Sequence, residues 1–177
     1  SGGDYVSWTF RKQPKFFDVV TATADSSGSI LINHNLGTTP GFVMVKRTDS
    51  TGSWFCYHRS LSSPLDQYLQ LNTTGAAGNF SGAFSNVTST TFQSNLGFPT
   101  GSEIVFYLFA HNDSDGGFGS TGDQDIIKCG SYNGDEVVEC GIKQGLKVVD
   151  LTGAGDLFAG GFLHGHVNNM SLKNSLE

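Results

Sequence analysis

The sequence predicts a mainly β chain: an antiparallel β-sandwich module followed by a short α/β segment made of a strand, a glycine turn and a helix. Three observations predict it. Glycine (24 residues) and phenylalanine (14) are abundant while only 15% of residues are charged, a balance of turn formers and strand-packing aromatics that does not suit a helical bundle. Short β-branched and aromatic runs alternate with turn formers through residue 109, the rhythm of an antiparallel sandwich. After about residue 133 that rhythm stops, and a single strand, glycine turn and helix can be read.

The strands are expected, in order, over residues 16–23, 29–33, 42–47, 54–58, 67–71, 90–93 and 104–109. Turn chemistry separates them: Asp25 to Gly28, Asn35 to Gly37 with Pro40 and Gly41, Asp49 to Gly52, and Pro99 to Gly101. In the third strand, alternation sends Phe42 and Met44 to one side and Val43 and Val45 to the other. All four are apolar, so this strand is expected to be central and covered on both faces. Trp54 to His58 reads the same way.

The formal charge of −6 is evenly spread, with seven basic and ten acidic side chains up to residue 134 and three and six after it. No basic patch attracts a polyanion, which excludes nucleic-acid binding of that kind. Cys56, Cys129 and Cys140 are an odd count without a CxxC pair, so neither a disulfide framework nor a zinc site is signalled. No charged-then-apolar leader opens the chain and no apolar run reaches membrane-spanning length, so a soluble product of a reducing cytoplasm, with no membrane partner, is expected. The start at Ser1-Gly2-Gly3, without Met, reads as a fragment.

An internal echo organises the chain. Tyr5, Trp8 and Phe10, followed by Phe17 to Val20, resemble Ile104, Tyr107 and Phe109, followed by Asp125 to Ile127. In each place a closing aromatic strand leads through a linker to a new opening strand, at a spacing near the common domain size. The expected organisation is therefore residues 1–15 as the tail of a preceding module and 16–112 as one β-sandwich module. A Gly/Asp/Ser linker over 113–124 and the truncated start of a further β module over 125–134 follow, then the α/β segment over 135–177. Asn133, Gly134 and Asp135 fit either side of the last join, as recombination or misassembly at a short shared stretch would leave.

His34 to Gly37, Pro40 to Thr48, Trp54 to Arg59 and Tyr107 to His111, with the opening Tyr5 to Phe17, resemble bacteriophage tail and other virion structural modules that neighbour lectin-like β-sandwiches. The resemblance covers about residues 4–134. It implies a virion structural or receptor-contact role, with other virion subunits or a surface glycan as partners, homo-oligomers, and a location in the virion or host cytoplasm.

Residues 136–163, with Asp150, Thr152, Gly153, Ala154, Gly155 and Asp156 at their centre, resemble the C-terminal signature of the PfkB (ribokinase-like) family of carbohydrate and nucleoside kinases. Lys147 to Asp150 is expected to form a strand, and a helix beginning near Asp156 points free backbone amides back at the glycine turn, which makes an anion hole. The resemblance implies that Asp156 is the catalytic base for the substrate hydroxyl and that Thr152, Gly153, Ala154 and Gly155 border the ATP phosphates. ATP and Mg²⁺ are implied only for this segment, and no cofactor for the β module. The plainer alternative is a packing turn with Asp156 favourable at a helix N-terminus. The family's sugar-binding elements are not visible upstream, and the sequence stops in a helix expected from Ser171. This chain is therefore expected to lack kinase turnover, a PfkB-type phosphotransferase remaining the alternative function.

Other features read as structural. His164 and His166 are two apart on the expected helix and point in different directions. Asp113, Asp115, Asp123 and Asp125 lack a full calcium-loop pattern, so no metal site is expected. His34, His58 and His111 could join Ser60 or Asp66 in a catalytic group, but no nucleophile motif accompanies them. Trp54, Tyr57 and Tyr68 would form a sugar-stacking platform if exposed, although aromatics alternating in strands are usually core.

Overall fold

The computed structural model describes residues 9–131. The chain divides between Ser131 and Tyr132 into two units, and the description concerns the first. The strand–turn–helix segment expected over 135–177 lies outside the described residues.

Nine strands and no helix occur among the described residues, so none of their helices is long and apolar enough to cross a membrane. They are β1 (Phe17–Thr23), β2 (Ile30–Asn33), β3 (Pro40–Arg47), β4 (Trp54–His58), β5 (Gln67–Gln70), β6 (Gly78–Asn79), β7 (Phe84–Ser85), β8 (Thr91–Ser94) and β9 (Glu103–Ala110). Six form one sheet in the order β1-β9-β3-β4-β5-β6, and three form another in the order β2-β8-β7. Every pairing is antiparallel. The last strand therefore sits between the first and the third, with Phe17 opposite Phe109 at one end and Thr23 opposite Glu103 at the other.

The two sheets meet through large apolar side chains. Val43, Val45, Phe106 and Leu108 of the larger sheet and Phe84 and Phe92 of the smaller are essentially inaccessible. Tyr57 bridges the layers, its ring 5.5 Å from that of Phe84 and 5.6 Å from that of Phe92, while Phe92 also meets Phe106 at 6.2 Å. Such aromatic contacts at tilted or edge-on angles add to simple area burial. β2 shows the period of two expected of a strand with one covered face: Ile30 and Ile32 are buried while Leu31 and Asn33 are exposed.

Two glycines are required by close approach. A Cβ on Gly41 would stand 2.7 Å from His111 Cβ and 2.8 Å from Cys129 Sγ, beside the register shift where β3 meets β9. Pro40 and Gly41 thus open β3 instead of forming the expected turn; Pro is tolerated at a first strand position because the amide it lacks is not needed there. At Gly28 the left-handed φ of +77° coincides with Phe98 O, which would lie 2.7 Å from a Cβ, so only glycine fits.

Polar side chains tie the ends of the domain together. Asn112, fully buried, donates to Lys15 O at 2.9 Å and accepts from the amides of Ile126 and Ile127 at 3.1 and 3.2 Å. Its own amide donates to Ile127 O. Of the segment 125–134, expected to open a further β module, the described residues 125–131 form no strand, and Ile127 packs on this domain's core. Nearby, the buried Asp18 accepts from the amides of Val19 and Asn35, both at 2.8 Å, and meets Lys12 at 3.3 Å. Burial is the largest single influence on Asp18 and opposes ionisation, but the two amides and Lys12 together outweigh it and hold the carboxyl below its ordinary range. His34, also buried, accepts the Leu36 amide at Nδ1, 3.2 Å away, and its Nε2 meets no hydrogen-bond partner among the described residues.

Two outcomes follow from this packing. Phe106→Ala should destabilise the domain by about 3–5 kcal/mol, whereas Leu31→Ser, at a side chain 58% exposed, should stay within about 0.5 kcal/mol, both read by denaturant unfolding. Burial holds the pKa of His34 below its ordinary 6.5, and the weaker opposing pulls of the Thr91 backbone and Asp18 do not offset it. The unfolded chain therefore takes up the proton first, and stability present above about pH 7 should fall as the pH drops through 6.5. His34→Asn, whose side-chain oxygen can still accept the Leu36 amide, should show a shallower loss between pH 7.5 and 5.5, the remainder coming from His58 and His111, both also lowered by burial.

Candidate functional site: an aromatic sheet face

The six-stranded sheet uses one face for the core. Its other face is built by strands in which nearly every residue is apolar, so that alternation has no polar side to present. In β9, Ile104, Phe106, Leu108 and Ala110 face the core, and Val105, Tyr107 and Phe109 face outward. Register places Phe17 and Phe42 on either side of Phe109, Val19 and Met44 on either side of Tyr107, and His58 and Trp54 beyond β3. The expectation that β3 is covered twice is met only on the side of Val43 and Val45; Phe42 and Met44 are half-buried on the outer face.

Aromatic contacts order this face. Phe17 and Phe109 lie 4.9 Å apart, Phe42 and Phe109 5.8 Å, and Phe10 folds over the first pair at 5.5 and 6.0 Å while staying 45% exposed. Trp54 and Tyr107 have ring centroids 6.1 Å apart and planes 27° from parallel. Two hollows share these last two rings. One, of about 460 Å³, is otherwise mainly apolar, between Phe10, Phe17, Val19, Met44 and Phe109 with Thr9 at its wall. The other, of about 540 Å³, is amphipathic, with Lys46, Arg47, Asp49, Ser50 and Thr51 on its walls. Arg47 holds Asp49 through two bonds, Nε to Oδ1 at 2.6 Å and Nη2 to Oδ2 at 3.0 Å. That pairing raises the guanidinium pKa and lowers that of the carboxyl, so both stay charged at neutral pH.

The residues singled out by sequence separate. Of the expected platform, Trp54 lies on the outer face, but Tyr57 is buried between the sheets and Tyr68 packs edge-on against Phe55 at 5.3 Å. Trp54 and Tyr57 are an odd number of residues apart on one strand and so must point to opposite faces. Tyr107 takes the place expected for them. His34, His58 and His111 lie at or just beyond strand ends. The imidazole of His58 accepts the Ser60 amide at 3.1 Å, that of His111 accepts the Cys129 amide at 3.0 Å, and Asp66 accepts the Gly82 amide at 2.7 Å. These groups serve turns, and among the described residues no hydrogen bond pairs the side chain of Ser60 or Asp66 with a histidine. The carboxylate of Asp125 accepts the amides of Ser114 and Gly116 at 2.7 and 2.8 Å, and Asp115 accepts that of Asp113 at 3.0 Å, so the acidic linker is a set of backbone-bound turns. Among the described residues no group of three or more His, Cys, Asp or Glu is placed to hold a metal ion. Thr152, Gly153, Ala154, Gly155 and Asp156 lie outside the described residues.

The family described as "Domain of unknown function (DUF7483)" matches residues 1–143, and the family described as "pfkB family carbohydrate kinase" matches residues 120–177. The two matches overlap over 120–143. No curated protein and no solved structure matches the chain.

Cys56 belongs to the same outer face, opposite Met44. Burial pushes its thiol up to about 11, and the thiolate is the reactive form. Native protein at pH 8 should therefore resist alkylation at Cys56, and the same reagent should modify it fully once the chain is unfolded, as read by peptide mass spectrometry. Rapid native labelling would show that the outer face opens around β4.

Proposed function

The chain belongs to the family described as domain of unknown function DUF7483, and from that premise we propose that residues 16–112 are a contact module of a virion structural protein. The module serves in assembly or in receptor contact through the outer face of its six-stranded sheet, and its partners are other virion subunits, further copies of itself or a surface glycan. The observation that carries this reading is the row of Phe17, Phe109, Phe42, Tyr107 and Trp54 on a sheet whose opposite face already supplies the core. Phe17 is buried and the other four rings are half-buried, and a partly accessible apolar face of this kind, rimmed by polar side chains, suits an interaction surface. Aromatic anchors with few rotatable bonds are also the side chains that dominate contact energies. The resemblance of residues 4–134 to phage tail and virion modules points the same way.

A second reading rests on the match of residues 120–177 to the pfkB family carbohydrate kinases. It assigns ATP-dependent phosphoryl transfer to a sugar or nucleoside hydroxyl, with Asp156 as base, Thr152 to Gly155 beside the phosphates, and Mg²⁺ supplied with the nucleotide.

Mass spectrometry of purified particles from the source should find this chain at stoichiometric level, and its absence would reject the virion role. Calorimetry of the full chain with Mg²⁺ and ATP separates the two readings. The contact module predicts no nucleotide-dependent heat, whereas saturable binding with sugar phosphorylation, abolished in Asp156→Asn, would establish the kinase.

A further inference from the structure

We propose that the amphipathic hollow floored by Trp54 and Tyr107 and walled by Arg47 and Asp49 binds a neutral pyranose residue of a glycan. The proposal rests on the contact-module reading and names the ligand class that part of the face takes. Trp54 and Tyr107 stand on the two strands flanking β3, about 9.6 Å apart at ordinary strand spacing. Their ring centroids are only 6.1 Å apart and their planes 27° from parallel, so the rings lean toward each other over β3. Aromatic faces held this way offer a broad apolar surface that the C–H face of a sugar ring can cover, at little cost in side-chain entropy.

The wall supplies what a hydroxylated ring needs beside such a surface. Arg47 and Asp49 are locked by two bonds at 2.6 and 3.0 Å, which fixes both groups before any ligand arrives. The guanidinium keeps unused N–H donors and the carboxylate keeps free acceptor sites. A pair of neighbouring sugar hydroxyls donates and accepts in the same alternation. The pair is neutral overall, and the ammonium of Lys46 is engaged with Arg47 O at 2.8 Å. With a chain charge of −6, nothing favours a polyanionic glycan over a neutral one. The hollow's 540 Å³ falls within the range of about 300–1,000 Å³ typical of small-molecule sites.

The test uses the full chain carrying Trp8→Phe, which leaves Trp54 as the sole tryptophan, titrated with neutral tetrasaccharides of glucose, mannose and N-acetylglucosamine and with a sulfated tetrasaccharide. Saturable change in Trp54 emission is expected with at least one neutral probe at about millimolar concentration. Tyr107→Ala and, at the surface, Arg47→Gln should each weaken it at least tenfold, and Leu31→Ser on the other sheet should leave it unchanged. Far-UV circular dichroism confirms that each variant is folded. No response to any neutral probe, a response only to the sulfated one, or binding indifferent to Arg47→Gln would overturn the proposal. Those results leave the assembly role standing if the chain is found in particles, whereas absence from particles rejects that role whatever the sugar titration shows.

Discussion

The structure depends on the pairing of its first and last strands. β9 lies between β1 and β3, so the larger sheet has no continuous centre until residue 110 has been reached. Seven consecutive register pairs, from Phe17 with Phe109 to Thr23 with Glu103, join positions 80 to 92 residues apart along the chain. Such long-range closure costs loop entropy before its contacts form, and Asn112 is placed where that cost is recovered. Its side chain binds Lys15 O on one side and the amides of Ile126 and Ile127 on the other. The incoming segment, the end of β9 and the chain beyond it are thereby fixed at one point. An unpaired amide buried there would be costly, so the three segments hold position together or not at all. Tyr107 and Phe109, on which the outer face is built, inherit their positions from this closure.

The same strands explain why the face exists. A strand that is apolar in every position is normally buried on both sides, and the runs Phe42 to Val45 of β3 and Ile104 to Ala110 of β9 have that composition. The smaller sheet, with three short strands, covers only the face carrying Val43, Val45, Phe106 and Leu108. On the other face Phe10, packed against Phe16, folds over Phe17 and Phe109, which shields one end and leaves the Trp54 end open. The change from apolar hollow to amphipathic hollow then follows from one feature, the end of β3 and the turn after it. There Lys46, Arg47 and Asp49 succeed the apolar run, and their charges are already satisfied by one another and by backbone. The sheet thus offers a graded surface, hydrocarbon at the Phe17 end and mixed at the Trp54 end.

Much of the fold was legible because period-two alternation and turn chemistry act locally. The seven longer strands lie within two residues of where composition puts them. The two missed strands, Gly78–Asn79 and Phe84–Ser85, are two residues long and pair only because β5 and β8 reach them, so no local pattern announces them. Pro40 and Gly41 read as a turn by propensity, yet tertiary approach of His111 and Cys129 makes Gly41 a strand residue with no room for a side chain. The outer face was half legible. Parity alone separates Trp54 from Tyr57, but Tyr107 sits in a run where every neighbour is apolar and alternation cannot say which side is core. Asn112 carries no local signal at all, since its role consists of contacts 97 and 14 to 15 residues away.

The core also bears on how the two halves of the sequence relate chemically. Its buried members run from Ala24 to Ala110, and the partly buried residue packed against them farthest along the chain is Ile127. A glycine turn of the kind read at residues 153–155 stabilises charge only where water is excluded and a hydroxyl is held in line with a phosphoryl group. The described sandwich faces supply neither: one is filled by the core, and the other presents Phe17, Phe109 and Trp54 without phosphate-binding amides. The contact reading rests on side chains of the described β domain, and the kinase reading on residues 152–156, which lie outside the described residues. Fold alone cannot join them into one function, and each must be judged by the chemistry of its own site.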